Sequence, residues 1–407
     1  MYDIVFVDIP HKEYQVNDKL KTQIKTYRDD CDVIIHKETG VNAAEKKFFY
    51  SMGILCLSSY LKASIKNIKI GYIHNDINKD EFEEYIENAK VLAFSTMTVT
   101  MNKILDLAKK AHEKKPDIKI VLGGYHASYF ARELIEEYAF IDCIFLYEGE
   151  QSLLDYMLHE RKERIPGIAF RNKAGVAVVN EFAKYLDGCK IPIPDYSLIL
   201  DNLQNFNIHL STMRGCIGDC NFCVNHSYWS FPRTVPTERV VQELLYLKEN
   251  LPEGTIIHLI DNVFTYDRQR LSDLYHQMQE KHLLGYFKFE CDTLSKLVDE
   301  EIVTLLEKIG VFKLCLGIED CNENVLKISN KSATFADSVK AAQTIKNYSD
   351  NICVYAYWLI GLPGTTIETM EENIQQMKKL IEDNLVDIIS PKIFIPYPGT
   401  QFFKIQY

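Results

Sequence analysis

Arg214-Gly215-Cys216-Ile217-Gly218-Asp219-Cys220-Asn221-Phe222-Cys223 is the stretch on which the reading of this chain turns. It sets three cysteines at C-x3-C-x2-C in a polar, glycine-bearing turn directly after an apolar strand. Soft thiolates so spaced reach one metal centre, and they suit an iron–sulfur cluster. Three thiolates on a four-iron cluster leave one iron open to an exchangeable ligand, whereas structural zinc normally takes four protein ligands in a closed tetrahedron. His226 could complete a Cys3His zinc site, but zinc motifs usually separate two short ligand pairs by a longer loop. The expectation is a [4Fe-4S] cluster on Cys216, Cys220 and Cys223.

Around that turn the chain alternates strand-like and helix-like patterns. Strands are expected at Asn207–Met213, Thr255–Ile260, Tyr286–Cys291, Phe312–Gly317, Ile352–Ile360 and Asp387–Ile395. Helices are expected near Thr237–Asn250, Asp267–Lys281, Asp299–Ile309, Phe335–Asn347 and Thr366–Asp383. Six βα units curl into a partial (β/α)6 TIM-like barrel, with active residues on loops at the carboxyl ends of its strands.

Upstream the alternation has shorter units. Apolar runs at Asp3–Ile9, Ile68–His74, Val91–Thr96, Ile118–Leu122 and Cys143–Tyr147 are separated by helical patterns, as in a doubly wound, Rossmann-like parallel α/β sheet. The helical patterns lie near Met52–Ala63, Asp80–Asn88, Asn102–Lys114, Tyr129–Glu137 and Gln151–His159. A hairpin pattern follows at Gly167–Val179, and the prolines Pro192 and Pro194 break any regular element after it. The expected division is 1–185 for the first domain, 186–205 for a linker and 206–407 for the barrel.

At 407 residues, with 47% hydrophobic and 25% charged residues, the chain has room for two buried cores and is neither disordered nor fibrous. A net charge of -11 argues against a nucleic-acid partner, since phosphate backbones select basic surfaces. No apolar run reaches membrane-span length and the amino terminus has no leader pattern, so a cytoplasmic location without a membrane is expected. The eight cysteines outside the triplet lack disulfide spacing and read as small buried apolar residues.

The triplet, with aromatic Phe222 just before its last cysteine, resembles the signature of the radical S-adenosylmethionine (SAM) superfamily. The resemblance implies that SAM chelates the open iron and is cleaved there to methionine and a 5'-deoxyadenosyl radical, the electron coming from an external donor such as flavodoxin or ferredoxin. Three further strand ends resemble the family's SAM contacts. They are Asp261-Asn262 for the amino group, Gly317-Ile318-Glu319 for the ribose or methionine part, and Ile360-Gly361-Leu362-Pro363 beside the adenine that Phe222 also flanks. A carboxylate at the first makes sense, since a charge-assisted hydrogen bond to an ammonium is strong, although an acidic strand end also caps helices.

In the first half, Ser95-Thr96-Met97-Thr98, Gly123-Gly124-Tyr125-His126 and Glu148-Gly149-Glu150 resemble, in order, the loops of the cobalamin-binding domain found ahead of some radical SAM enzymes. The resemblance implies cobalamin contacts at Ser95, Thr96, Thr98, Gly123, Gly124, His126, Glu148, Gly149 and Glu150. His126 reads as a corrin-pocket residue and not a cobalt ligand, because no Asp-x-His-x-x-Gly occurs in this half. The chain departs from the pattern in Tyr125, where proline is usual, in Tyr50-Ser51-Met52-Gly53 for Pro-Pro-x-Gly, and in the long polar stretch from His11 to Lys47. Ile395-Pro396-Tyr397-Pro398-Gly399-Thr400 resembles the segment after the sixth strand, with little beyond it, as in a truncated or minimal family member.

The implied activity is transfer of a methyl group, carried by cobalamin, to an unactivated carbon of a small-molecule or peptide substrate. Adenosyl-radical rearrangement, cyclisation or dehydrogenation without methyl transfer remains open, as does a non-catalytic iron–sulfur or zinc protein. The residues do not specify the substrate.

Overall fold

The computed structural model describes residues 1–9, 49–74, 79–229 and 231–406, so the polar stretch from His11 to Lys47 lies outside the described residues. In the first unit β1 (Ile4–Asp8), β2 (Ile70–His74), β3 (Val91–Ser95), β4 (Lys119–Gly123) and β5 (Cys143–Phe145) run parallel in the order β2-β1-β3-β4-β5. The hairpin β6 (Ile168–Arg171) and β7 (Ala177–Val179) extends the β5 edge antiparallel. Helices α1 (Met52–Ser64), α2 (Lys79–Asn88), α3 (Met101–Lys114), α4 (Tyr125–Tyr129), α5 (Ala131–Glu137) and α6 (Glu150–Met157) complete the unit.

Both faces of this sheet are covered, because successive side chains alternate across it. Val5, Val7, Leu92, Phe94, Ile120 and Leu122 pack into one core with Ile86, Ile104 and Leu134 of α2, α3 and α5. Ile4, Phe6, Val91, Ala93 and Val121 face a second core with Ile54, Leu55 and Leu153 of α1 and α6. That second core is continuous with the barrel through Tyr196, Phe206, Ile208 and Leu210. The strand order reverses between β1 and β3, the place where such sheets bind ligands at their carboxyl ends.

In the second unit β8 (Ile208–Leu210) is followed by a two-stranded ribbon, β9 (Met213–Arg214) paired antiparallel with β10 (Arg233–Thr234), with α7 (Val224–Tyr228) between them. Helix α8 (Thr237–Asn250), β11 (Ile256–Leu259), α9 (Arg268–Glu280), β12 (Lys288–Thr293), α10 (Glu300–Ile309) and β13 (Val311–Glu319) come next. Then follow α11 (Glu323–Ile328), α12 (Phe335–Tyr348), β14 (Cys353–Ile360), α13 (Ile367–Glu382), β15 (Ile388–Ile393) and α14 (Gln401–Gln406). The six long-range strands form one all-parallel sheet in the order β15-β14-β13-β12-β11-β8, the partial barrel expected.

Three local differences from the sequence reading have identifiable causes. The single strand expected over Asn207–Met213 is broken at Thr212, because Asp261 Oδ1 accepts the N–H groups of Thr212 at 2.7 Å and Met213 at 2.9 Å and turns the chain into β9. The helix expected from Tyr129 already starts at Tyr125, behind Gly124 with φ 99°. Gly317 and Glu319 lie within the end of β13 rather than on a loop beyond it.

An open barrel has free edges, and unpaired strand edges invite association. The edge of β8 is covered from the first unit, where the Tyr50 hydroxyl accepts from His209 N–H at 3.0 Å and lies 3.3 Å from His209 C=O. No helix among the described residues is long and apolar enough to cross a membrane.

Candidate functional site

The cysteine turn leaves β9 at the carboxyl end of the barrel and is pinned from two sides. Asn221 N–H donates to Ser329 C=O at 2.9 Å and its side chain to Ile328 C=O at 2.8 Å. Asn330 donates to Asp219 C=O at 2.7 Å, and Phe402 N–H of α14 to Asn221 C=O at 3.2 Å. Gly218 N–H donates to Cys216 Sγ at 3.2 Å, and a Cβ at Gly218 would lie 3.5 Å and 3.8 Å from the Cys216 and Cys220 sulfurs. Glycine therefore keeps the space between the two sulfurs clear. Burial raises both thiols, Cys220 to about 12, against the opposing charge of Lys331. His226 turns Nε2 to Asp219 Oδ1 at 2.8 Å.

Around the turn, the strand-end residues divide into those that face it and one that does not. Asp261 is fully buried, with Oδ1 on Thr212 and Met213 N–H, Oδ2 bonded to the Thr212 hydroxyl and 3.8 Å from Arg270. Its carboxylate shapes the strand, whereas an amino-group contact was expected of it. Asn262 next to it accepts from Asn225 at 2.5 Å and donates to Gly215 C=O at 2.9 Å, facing the cysteine turn.

Glu319 adopts φ 70°, a left-handed conformation uncommon for a non-glycine residue. It pairs with Lys331 at 3.1 Å, both side chains being 10% exposed or less. A Cβ at position 317 would lie 2.5 Å from Glu319 Oε1 and 2.8 Å from Lys331 Nζ, which explains Gly317. The loop after β14 approaches Phe222 through Leu362, which shares an apolar cluster with Phe222, Val325 and Phe402. Ile360 packs on the main core, Gly361 has φ 86° and open space before its Cβ direction, and Pro363 follows at the rim.

The loops of the first sheet also divide. Thr96 is buried, its hydroxyl donating to Gly123 C=O at 2.8 Å and accepting from Ala127 N–H at 3.0 Å, which fixes the loop. Thr98 pairs with His126 Nδ1 at 3.2 Å on the first turn of α4. Glu148 and Glu150, expected at the corrin, both pair with arginines of the barrel. Glu148 lies 3.1 Å from Arg214 and 2.6 Å from Arg233, and accepts from Trp229 Nε1 and Leu186 N–H at 3.0 Å each. Glu150 pairs with Arg214 at 2.7 Å. Burial would raise the Glu148 carboxyl, but the two guanidiniums outweigh it and hold it below its ordinary value. The β9–β10 pairing sets Arg214 beside Arg233, so this seam is built by the ribbon that carries the cysteine turn.

Between the units lies a cavity of about 250 Å³. Gly124, Tyr125 and Gly149 form one wall, and Arg214, Gly215 and Asn262 the other. Tyr125, the departure from the expected proline, donates to Asn225 Oδ1 at 2.8 Å and packs on Tyr228 with ring centroids 4.3 Å apart. A second, narrower apolar cleft of about 70 Å³ runs beneath Ser95, Gly123, Gly124 and Gly149 between Phe94, Leu57 and Phe145. Gly124 admits no side chain, since a Cβ there would sit 2.5 Å from Thr96 C=O. Glycine-lined strand ends over an apolar cleft fit a flat macrocycle with an apolar appendage, and the Cys216 and Cys220 sulfurs beside Gly218, with Cys223 close enough to act on both, suit an iron–sulfur cluster. Sequence reading missed Arg214, Arg233, Asn225 and Lys331; only the β-ribbon spacing of Arg214 and Arg233 about the cysteines hinted at two of them.

The Radical SAM superfamily model matches residues 210–377, and the B12 binding domain model matches residues 39–156. The chain carries a radical SAM domain and, ahead of it, a B12-binding domain. Membership implies a [4Fe-4S] cluster and SAM, and the B12-binding domain implies cobalamin. This radical SAM protein is 25% identical over 365 residues to an anaerobic magnesium-protoporphyrin IX monomethyl ester cyclase of Rubrivivax gelatinosus, covering 86% of the chain and 64% of the relative. It is 23% identical over 320 residues to the hopanoid C-3 methylase of Methylococcus capsulatus, covering 74% of the chain and 58% of the relative. In fold it is similar to the radical SAM methyltransferase TsrM of Kitasatospora setae, solved with cobalamin and a [4Fe-4S] cluster, at TM-score 0.73 and 15% identity over 98% of the chain and 77% of that structure. The cobalamin-dependent radical SAM enzyme OxsB superposes at TM-score 0.73 and 14% identity, covering 100% of the chain and 60% of that structure. The chain thus spans about three fifths of the length of the two sequence relatives.

Proposed function

We propose that this radical SAM protein transfers a methyl group to an unactivated carbon of a small molecule, with cobalamin as carrier and an external donor such as flavodoxin or ferredoxin as reductant. The observation that carries the reading is the shared cavity, with walls from both the glycine loops of the B12-binding domain and the cysteine turn of the barrel. When bound, the cluster supplies the electron that cleaves SAM, and cobalamin supplies the methyl group.

The chain's own residues hold and shield these groups. Cys216, Cys220 and Cys223 hold the cluster, and the charge of Lys331 and the N–H of Gly218 favour thiolate over thiol. Asn262 and the Glu319–Lys331 pair orient SAM, while Phe222, Ile360, Gly361 and Pro363 flank its adenine. Gly123, Gly124 and Gly149 let a corrin approach the backbone, with Ser95, Thr98 and His126 at the rim. Tyr125, Tyr228 and Trp229 close the gap between the units, excluding water that would quench a radical.

Anaerobic reconstitution with iron, sulfide and hydroxocobalamin, followed by desalting, tests the reading. About four irons per chain with a retained corrin absorption band is the expected result; iron without corrin overturns methyl transfer, and zinc in place of iron overturns radical chemistry altogether. The similarity to the cyclase of Rubrivivax gelatinosus supports a second reading, radical ring closure without methyl transfer. Detection of 5'-deoxyadenosine without S-adenosylhomocysteine would favour that second reading.

A further inference from the structure

The barrel strands alternate, and their inner face is unusual. In β12, Phe289 and Cys291 are buried among the helices, which leaves Glu290 and Asp292 on the opposite, inner face. Register sets His258 of β11 beside His209 and Glu290, Glu290 beside Lys313, and Asp292 beside Cys315. A closed barrel fills this space with branched aliphatic side chains. Here the lumen is lined by titratable groups, and solvent reaches them, with His258 32% and Asp292 31% exposed.

Their charges do not balance. Glu290 and Lys313 form an ion pair, and burial, with His258 beside it, lowers His209 to about 4, so it is neutral. Asp292 remains. Its Oδ2 is 4.0 Å from His258 Nε2, and its Oδ1 is buried without a hydrogen-bond partner. A carboxylate oxygen in such a place is costly unless a donor meets it. Asp292 is the last residue but one of β12, toward the carboxyl end, the end from which the cysteine turn is reached.

We propose that the barrel lumen takes a small substrate that offers a cationic nitrogen to Asp292. This assignment rests on the radical SAM reading above and adds to it the chemical class of the substrate. The carboxylate, with its Oδ1 unbonded, selects an ammonium over a neutral or acidic group, and the Tyr357 hydroxyl, bonded to the Cys315 thiol in the next layer, lies within its field.

The test is a calorimetric titration of the anaerobically reconstituted full chain with cadaverine, with the diol of the same length and with glutarate. Cadaverine is expected to bind roughly 10- to 100-fold more tightly than the diol, as for a hydrogen bond to a charged group, and glutarate not at all. Asp292→Asn should bring cadaverine down to the diol's affinity, whereas Glu280→Gln, which removes an exposed charge on α9, should leave it unchanged. Equal cadaverine binding by wild type and Asp292→Asn, stronger binding of glutarate, or displacement of cadaverine by SAM would each overturn the proposal. Near-ultraviolet circular dichroism of Asp292→Asn, matched to wild type, guards against misfolding; if it differs, Asp292→Ser takes its place. SAM cleavage by the wild type is measured alongside, and its absence sinks the functional reading without touching cadaverine binding.

Discussion

Single residues in this protein serve different ends from those their positions suggest. Asp261 looks like a ligand group and is instead the bracket that breaks β8 from β9. Glu148 is the hub of the seam between the units, and its removal strands Arg214 and Arg233 in a buried place. Glu148→Gln is therefore expected to cost about 3–5 kcal/mol of unfolding free energy, read by urea denaturation; a loss within the range of an exposed pair would remove the hub role. Glu243 of α8 is buried, and burial lifts its carboxyl to about 7 from an ordinary 4.5 although Tyr196 donates to it at 2.7 Å. Its folded pKa is raised, so the folded chain binds the proton more tightly than the unfolded one. The stabilisation is present below pH 4.5 and lost as pH rises through about 7. Relative to Glu243→Gln, wild type should lose on the order of 3 kcal/mol between pH 4.5 and 8, and parallel stability profiles would contradict this.

At the scale of elements, the cysteine turn is held by the loop after α11 and by α14, which arrive from far along the chain. Cys220→Ser should lower bound iron to well under half of the wild-type amount after reconstitution, measured by metal analysis. The contact Tyr125–Asn225–Asn262–Gly215 links the glycine loop of the first sheet to that turn, with bonds of 2.8, 2.5 and 2.9 Å. Tyr125→Phe removes the first of them. Retained corrin should then be held about 3- to 10-fold less tightly, by equilibrium dialysis, as for the loss of one hydrogen bond. Unchanged retention would mean that the link does not steady the loop. The cysteine spacing, the βα alternation and the glycine loops were legible from short-range pattern. The partners of Tyr125 were not, because Asn225 lies on another domain and no periodicity couples the two positions.

As a whole molecule, the open barrel depends on its neighbour. Tyr50 satisfies the backbone of His209 on the β8 edge, and one apolar core runs from Ile4 and Phe6 into Ile208 and Leu210. Residues 206–407 expressed alone are expected to associate through that edge, with light scattering showing species larger than a monomer, whereas the full chain shows none of this edge-driven association. A monodisperse, monomeric barrel would show the first unit to be dispensable for covering it.

Two architectures and their order were legible in the linear pattern, which also proposed the cluster ligands, because alternation, turn chemistry and close ligand spacing are properties of neighbouring residues. Which polar side chains are engaged inside the protein and which keep a free atom was decided only by folding. Thr96, Glu148, Glu150 and Asp261 are consumed by groups up to 85 residues away, and Asp292 is left with a free oxygen. Availability depends on what else occupies the same few ångströms, and that is a property of three-dimensional packing that no local spacing encodes.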